Sequence, residues 1–431
     1  MKQTETAITA VQGYEILDSR GNPTVACRVY LADGETGYAF VPSGASTGEY
    51  EAYELRDGDN TRYNGKGVQT AVNNINNTIG PSLEGVDAHK QAEVDRHMSE
   101  LDGTANKQHL GANAILAVSL AMARAVSNSR GLPLYQYLHI LYSEYDSDQK
   151  LAIPYPALNI INGGEHADSG LAVQEFMIIP QFEDTSRNLQ VASEVYHNLK
   201  HTLEKDGYRT SVGDEGGFAP KLTSSDEAFQ YLQASIEDSG YTVGTDCVFG
   251  IDVAATEFYN SETETYTFGA EDLSAAGLSE YYKRWMSAYP LQTIEDPFAE
   301  DDFSAWSAFM KSHGEGQAII GDDLLVTNES RIKTAIRKEA ANALLVKPNQ
   351  VGTLTETFEA IQLVYEQGWE IMLSHRSGET SDTFIADLAV AVGAKWMKSG
   401  APARGERTAK YNRLLEIAKI DKQTIIPFIY E

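Results

Sequence analysis

Short apolar runs punctuate the second half of this chain, and each stops on a charged or metal-capable side chain. Val248-Phe249-Gly250-Ile251 runs into Asp252, Leu291-Gln292-Thr293-Ile294 into Glu295, and Ala318-Ile319-Ile320-Gly321 into Asp322. Ala343-Leu344-Leu345-Val346 stops on Lys347, Glu370-Ile371-Met372-Leu373-Ser374 on His375, and Trp396-Met397 on Lys398. Apolar runs this short predict strands buried on both faces. After Lys347 the chain turns at Pro348, Asn349 and Gly352. Thr353 and Glu356 then form a capping box, and Leu354, Phe358 and Ile361 open a helical stripe. From Glu295 to Lys398 the steps are 27, 25, 28 and 23 residues, about one strand-plus-helix unit each. The pattern predicts a (β/α)8-type barrel, whose chemistry sits at the C-terminal strand ends. One charged residue after a strand is ordinarily a loop residue or a helix cap; six in register point to a site.

The first third reads differently. Residues 1 to about 60 read as strands, with Thr24–Leu31 and Gly37–Val41 joined by the hairpin signal Asp33-Gly34. Pro42 to Gly48 is built of small and turn-forming residues, which suits a surface loop or a movable lid equally. Val68 to about Leu138 is helical in period, broken at Gly131-Leu132-Pro133. Leu110–Ala123 is too short to cross a bilayer and predicts a buried helix. The segment from His139 to Gln149 reads as a linker. The expected organisation is a smaller α+β domain over 1–138 and a catalytic barrel over 139–431.

The barrel portion opens with Ala157–Ile161 and Asn162-Gly163-Gly164-Glu165-His166. Gln174 and Glu175 interrupt the apolar run Leu171–Ile179. A carboxylate inside such a run is costly unless paired, so Glu175 is a site candidate. Val212–Phe218 sets Asp214 and Glu215 against glycines, which suits either a polar turn or an acid catalyst with room for substrate.

Asp252, Glu295 and Asp322 are hard oxygen ligands that suit Mg²⁺ or Mn²⁺. Beside such an ion, Lys347 and Lys398 are expected to have lowered pKa values, and a neutral lysine can take a proton from carbon. The cation stabilises the enolate that results. Arg376 and Ser377 suit a phosphate or carboxylate, and Glu175 or Glu215 a general acid. Together these predict proton abstraction next to a metal-bound carboxylate, then loss of a leaving group. The formal net charge of −28 disfavours nucleic acid and anionic membranes, so an anionic substrate needs a locally positive site. Cys27 and Cys247 are too few for a disulfide framework, and Met1–Gln12 lacks the apolar core of a signal peptide. A cytoplasmic protein without integral membrane association is expected. Neither GxGxxG nor GxxxxGK[ST] occurs.

Long motifs now carry a resemblance. They run from Leu17-Asp18-Ser19-Arg20-Gly21-Asn22-Pro23-Thr24 through Ser43-Gly44-Ala45-Ser46-Thr47-Gly48, Gln174-Glu175-Phe176-Met177 and Gly213-Asp214-Glu215-Gly216-Gly217. Further on come Glu295-Asp296-Pro297, Lys347-Pro348-Asn349-Gln350, Ser374-His375-Arg376-Ser377-Gly378-Glu379-Thr380 and Lys398-Ser399-Gly400-Ala401. In this order they resemble the enolase family, the 2-phosphoglycerate dehydratases. A lysine or histidine base beside magnesium is the arrangement already known for that superfamily, so this pairing is no independent derivation. The resemblance implies an irregular barrel and reversible, magnesium-dependent dehydration of 2-phosphoglycerate to phosphoenolpyruvate. It implies Lys347 as the base at C2 and Glu215, with Glu175 beside it, as the acid at the C3 hydroxyl. Asp252, Glu295 and Asp322 would hold a first Mg²⁺, and Ser46 a second that arrives with substrate as a lid closes. Arg376 and Ser377 would bind phosphate, and Lys398 and Gln174 would lie near the substrate carboxylate. His166 and His375 would complete the pocket. A homodimer or octamer is also implied. The rivals are another acid-sugar dehydratase or racemase of the superfamily, and a binding role on the same frame.

Overall fold

The computed structural model describes residues 4–44, 50–164, 169–421 and 426–427. Its contacts divide the chain into two compact units. One comprises Met1–Leu151, Val346–Gln362 and His375–Gly393, the other Ala152–Leu345, Leu363–Ser374 and Ala394–Glu431.

The first unit opens with an antiparallel meander of β1 (Ile8–Leu17), β2 (Pro23–Leu31) and β3 (Thr36–Phe40). Among the described residues the strands stop there, short of the expected residue 60. Beyond β3 the backbone bonds go to separate partners, Ala52 N–H to the Gln350 carbonyl, Tyr53 N–H to that of Asn106 and Asp57 N–H to that of Gly67. The apolar helix is Ala112–Ser129, and Ala112 to Ser127 are all buried. It lies close on the meander because Gly37 has no side chain: a Cβ there would stand 2.1 Å from the Ala121 carbonyl oxygen. Gly131 (φ 63°) and Pro133 end one helix and start the next, Leu134–Tyr142, which runs into the stretch expected as linker.

The helix Leu354–Tyr365 has its first N–H groups satisfied inside this unit. Leu354 N–H donates to Ser119 Oγ (3.0 Å), Thr355 N–H to Asp95 Oδ2 (3.1 Å) and Glu356 N–H to Thr353 Oγ1 (3.1 Å). Only half of the expected capping box is present, since the Glu356 carboxylate accepts the Thr353 hydroxyl instead.

The second unit is built on a closed barrel, with one strand residue, Val346, counted in the first unit. Its strands are β4 (Tyr155–Asn162), β5 (Glu175–Pro180), β6 (Cys247–Asp252), β7 (Leu291–Glu295), β8 (Ala318–Gly321), β9 (Ala343–Val346), β10 (Glu370–Ser374) and β11 (Trp396–Lys398). They close in the order β7-β8-β9-β10-β11-β4-β5-β6. The fold is thus a (β/α)8-type barrel preceded by a smaller α+β unit. It is irregular at one place: β5 runs antiparallel to both neighbours, and two helices, Thr185–Lys205 and Ser225–Asp238, separate β5 from β6. The barrel core is Tyr155, Ala157, Met177, Ile179, Val248, Ile320, Ala343, Leu345, Met372 and Trp396. They fall on alternate positions of β4, β5 and β9 and supply one residue each from β6, β8, β10 and β11, so the inward parity of these seven strands is fixed.

Candidate active site

Carrying that inward parity past the core, at the end where the parallel strands finish, gives Asn159, Glu175, Asp322 and Lys398 two residues on and Asp252 four residues on; β7 adds Glu295 through its pairing with Asp252. The polar residues therefore continue the rows whose apolar members fill the barrel. His375 falls off this parity, following Ser374 at the end of β10.

Within the second unit the centre of the cluster is Lys398. Its ammonium donates to Asp252 Oδ2 (3.0 Å) and to Glu295 Oε1 and Oε2 (2.8 and 2.9 Å), and it lies 3.2 Å from Glu175 Oε2. All four side chains are buried. Burial alone would discharge the Lys398 amine. Asp252, Glu175 and Glu295 outweigh burial and hold it charged, well above the usual lysine range. The lowered pKa expected from sequence is for a lysine beside a divalent cation; the carboxylates by themselves act in the other direction.

The carboxylates outnumber that cation. Burial first, then Asp252 and Asp322, pushes the Glu295 carboxyl well above its usual range, with Lys398 pulling the other way. Burial and the neighbouring Glu215 do the same to Glu175. Within this unit Asp296, Asp322 and Asp323 are the carboxylates that come close enough together to hold a metal ion, and such hard oxygens suit a divalent cation.

The backbone around the cluster is fixed. Gln174 donates through Nε2 to Asp252 Oδ2 (3.3 Å), and Ala254 N–H donates to Asp252 Oδ1 (3.0 Å). Asp296 accepts the N–H groups of Asp322 (2.9 Å) and Asp323 (2.7 Å), one on each oxygen. Ala254 (φ 46°), Asp296 (φ 42°), Val326 (φ 42°) and Thr327 (φ 52°) are left-handed without being glycine, each within five residues after Asp252, Glu295 or Asp322. Such strain costs about 1–3 kcal/mol per residue and concentrates at functional sites.

Glu215 lies on the Gly213–Gly217 turn. Its side chain accepts from Asn159 Nδ2 (3.0 Å), and its carbonyl accepts the Ala401 N–H (2.9 Å). Gly400 (φ 70°) allows that approach, since a Cβ there would stand 2.4 Å from the Glu215 carbonyl oxygen.

In the first unit, Arg376 is gripped by Glu51 through two bonds (3.1 and 3.2 Å) and donates to Asn349 Oδ1 (3.2 Å). Ser43 and Gly378 exchange both backbone bonds (2.8 and 2.9 Å), which ties down the Arg376-Ser377 turn. Lys347 is half-buried directly after β9, in extended backbone (φ −131°). Ser46 and His166 lie outside the described residues.

Sequence reasoning named Asp296 and Asn349 only as motif letters and missed Asn159 and Glu51 as partners. Asn159 was findable: it stands two residues beyond the inward Ala157. Glu51 carries no local signal, because its partner is 325 positions away.

Fold and cluster together give a barrel with buried carboxylates and a lysine at its strand ends. The family model "Enolase, N-terminal domain" matches residues 8–138, and "Enolase, C-terminal TIM barrel domain" matches 150–424. The chain belongs to the enolase family, whose enzymes are generally lyases acting by dehydration.

Proposed function

We propose that the chain interconverts 2-phospho-D-glycerate and phosphoenolpyruvate with water, as the hydro-lyase of glycolysis and gluconeogenesis. The observation that carries this reading is the Glu175–Asp252–Glu295–Lys398 cluster at the strand ends, in a chain covered by both enolase domains. Lys347 takes the C2 proton. Glu215, positioned by Asn159 and assisted by Glu175, gives a proton to the departing C3 hydroxyl, which leaves as water while the C2–C3 double bond forms. Arg376 and Ser377 hold the phosphate. Lys398 and Gln174 face the substrate carboxylate, and His166 and His375 complete the pocket. Asp252, Glu295 and Asp322 would hold one Mg²⁺ and Ser46 a second, which would supply positive charge to stabilise the carbanion left at C2.

The protein works as a cytoplasmic homodimer or larger homo-oligomer. Among the described residues no helix is long and apolar enough to cross a membrane.

The test is the ultraviolet absorbance of the enol phosphate formed from 2-phosphoglycerate, with and without Mg²⁺, set against a panel of acid sugars. Magnesium-dependent turnover of 2-phosphoglycerate alone supports the reading. Turnover of an acid sugar instead points to another superfamily dehydratase.

A further inference from the structure

We propose that Arg407 and Tyr196 are positioning residues for Glu215, gripping the turn that carries it through the backbone carbonyls on either side. The inference rests on the reading that Glu215 is the acid.

The turn Gly213–Gly217 has three glycines in five residues, and two of them must be glycine. Gly216 has φ 86°, and a Cβ on Gly217 would stand 2.2 Å from Asn162 Oδ1. Glycine is the most permissive residue, so backbone torsions alone do not fix a carboxyl here. Inside the turn, Gly213 N–H donates to the Gly217 carbonyl (2.8 Å) and Gly216 N–H to that of Gly213 (3.1 Å). The three carbonyls between take donors from elsewhere in the same unit. Arg407 Nη2 donates to Asp214 (3.1 Å), Ala401 N–H to Glu215 (2.9 Å) and the Tyr196 hydroxyl to Gly216 (2.8 Å). Glu215 is thus held at its own backbone and at both neighbours, while its side chain accepts from Asn159 Nδ2 (3.0 Å).

The two side-chain anchors are themselves well seated. Arg407 lies in the first turn of the helix Gly405–Ile420 and is fully buried. Its stem packs on Gly400, where a Cβ would stand 3.2 Å from Arg407 Cδ, and its Nε lies 3.5 Å from Glu406 Oε1. A charged donor makes a hydrogen bond roughly twice as strong as a neutral one, which suits a turn with little stiffness of its own. Tyr196 comes from the helix Thr185–Lys205, with its ring stacked on Phe218 at 4.4 Å. Such anchoring matters because a displacement of about 1 Å in a reacting group can cost about 100-fold in rate.

The experiment uses the full chain with Mg²⁺ and 2-phosphoglycerate. Tyr196→Phe and Arg407→Lys are made alone and together with Glu215→Gln. Enol phosphate formation, C2 hydrogen exchange and thermal melting are followed in each. Each single variant should lower kcat about tenfold, with KM and C2 exchange within about twofold of wild type. Added to Glu215→Gln, neither should cost more than about twofold further, because a residue that acts through Glu215 then has nothing left to position. An unchanged kcat in either single variant, at whatever melting temperature, overturns the proposal. So does a loss that recurs in full on top of Glu215→Gln, or one shared equally by C2 exchange.

If Arg407→Lys fails to fold, Tyr196→Phe decides on the same readings, since it removes one oxygen and keeps the stacked ring. Wild-type kcat in Glu215→Gln instead overturns the reading of Glu215 as the acid.

Discussion

Glu175 opens its strand and Asp252 closes its own, yet the two stand opposite each other in the antiparallel register of β5 and β6. Glu295 in turn pairs with Asp252 across the parallel β6–β7 step. One reversed strand thus lets a residue at a strand beginning join residues at strand ends. Removing the charge from the acids should therefore affect chemistry without unfolding the barrel.

Glu215→Gln separates the two halves of the proposed reaction. Conversion of 2-phosphoglycerate should fall by about 100-fold or more, the usual range for a lost general acid. Exchange of the C2 hydrogen with solvent should persist, because Lys347 is intact. Loss of both in equal measure would move Glu215 out of the acid role.

Asn159→Ala removes the donor to Glu215 Oε2. The carboxyl then loses its orientation while substrate contacts are kept. We expect kcat to fall about 10-fold, equivalent to about 1.4 kcal/mol, with KM changed by less than about threefold. Steady-state kinetics decide this; a change confined to KM would mean that Asn159 serves substrate binding.

Asp296→Ala leaves the N–H groups of Asp322 and Asp323 without their acceptor. Each buried, unsatisfied donor costs about 1–3 kcal/mol. The loop that carries Asp322 should loosen, with metal affinity down 10–100-fold, as is usual when support behind a ligand is removed. Magnesium titration followed by thermal melting measures both effects. Asp296→Asn should recover only part, since an amide has one accepting oxygen where two are used.

Inside the first unit, Arg124 and Asp382 form a buried pair (2.7 and 3.2 Å), and Asp382 also accepts the N–H groups of Phe40 and Phe384. Burial alone would raise the Asp382 carboxyl. The Arg124 guanidinium and these bonds outweigh it and hold it below the usual value. A lowered carboxyl adds stability that is present above its unfolded pKa of about 3.9 and lost as pH falls through its lower folded value. Arg124→Met should cost about 3–5 kcal/mol at neutral pH, because it strands a buried carboxylate. It should also move the acid-unfolding midpoint upward. Denaturant melts between pH 3 and 7 test this, and parallel stability curves for the two proteins would contradict it.

Much of this was legible in the sequence. All six apolar runs are barrel strands, and Asp252, Glu295, Asp322, Lys347, His375 and Lys398 stand on or just after their last residues. They were readable because strand, turn and helix signals are local. The reversal of β5 was not, since Leu171–Ile179 has no signal of direction and only its register against β4 and β6 sets it. The ion pairs of Lys398 were not legible either, because its partners lie 103 to 223 positions away. The strands expected up to residue 60 failed because the backbone of Ala52, Tyr53 and Asp57 bonds to Gln350, Asn106 and Gly67 and not to one neighbouring strand.

The most direct test of the central claim follows the C2 hydrogen itself. Wild type and Lys347→Ala are incubated with 2-phosphoglycerate and Mg²⁺ in deuterated water, and C2 exchange is read by proton NMR alongside formation of the enol phosphate. The account predicts both processes in wild type and a loss of both, by about a thousandfold or more, in a folded Lys347→Ala that still binds Mg²⁺. C2 exchange persisting in Lys347→Ala at the wild-type rate would contradict it, and the base would have to be sought elsewhere.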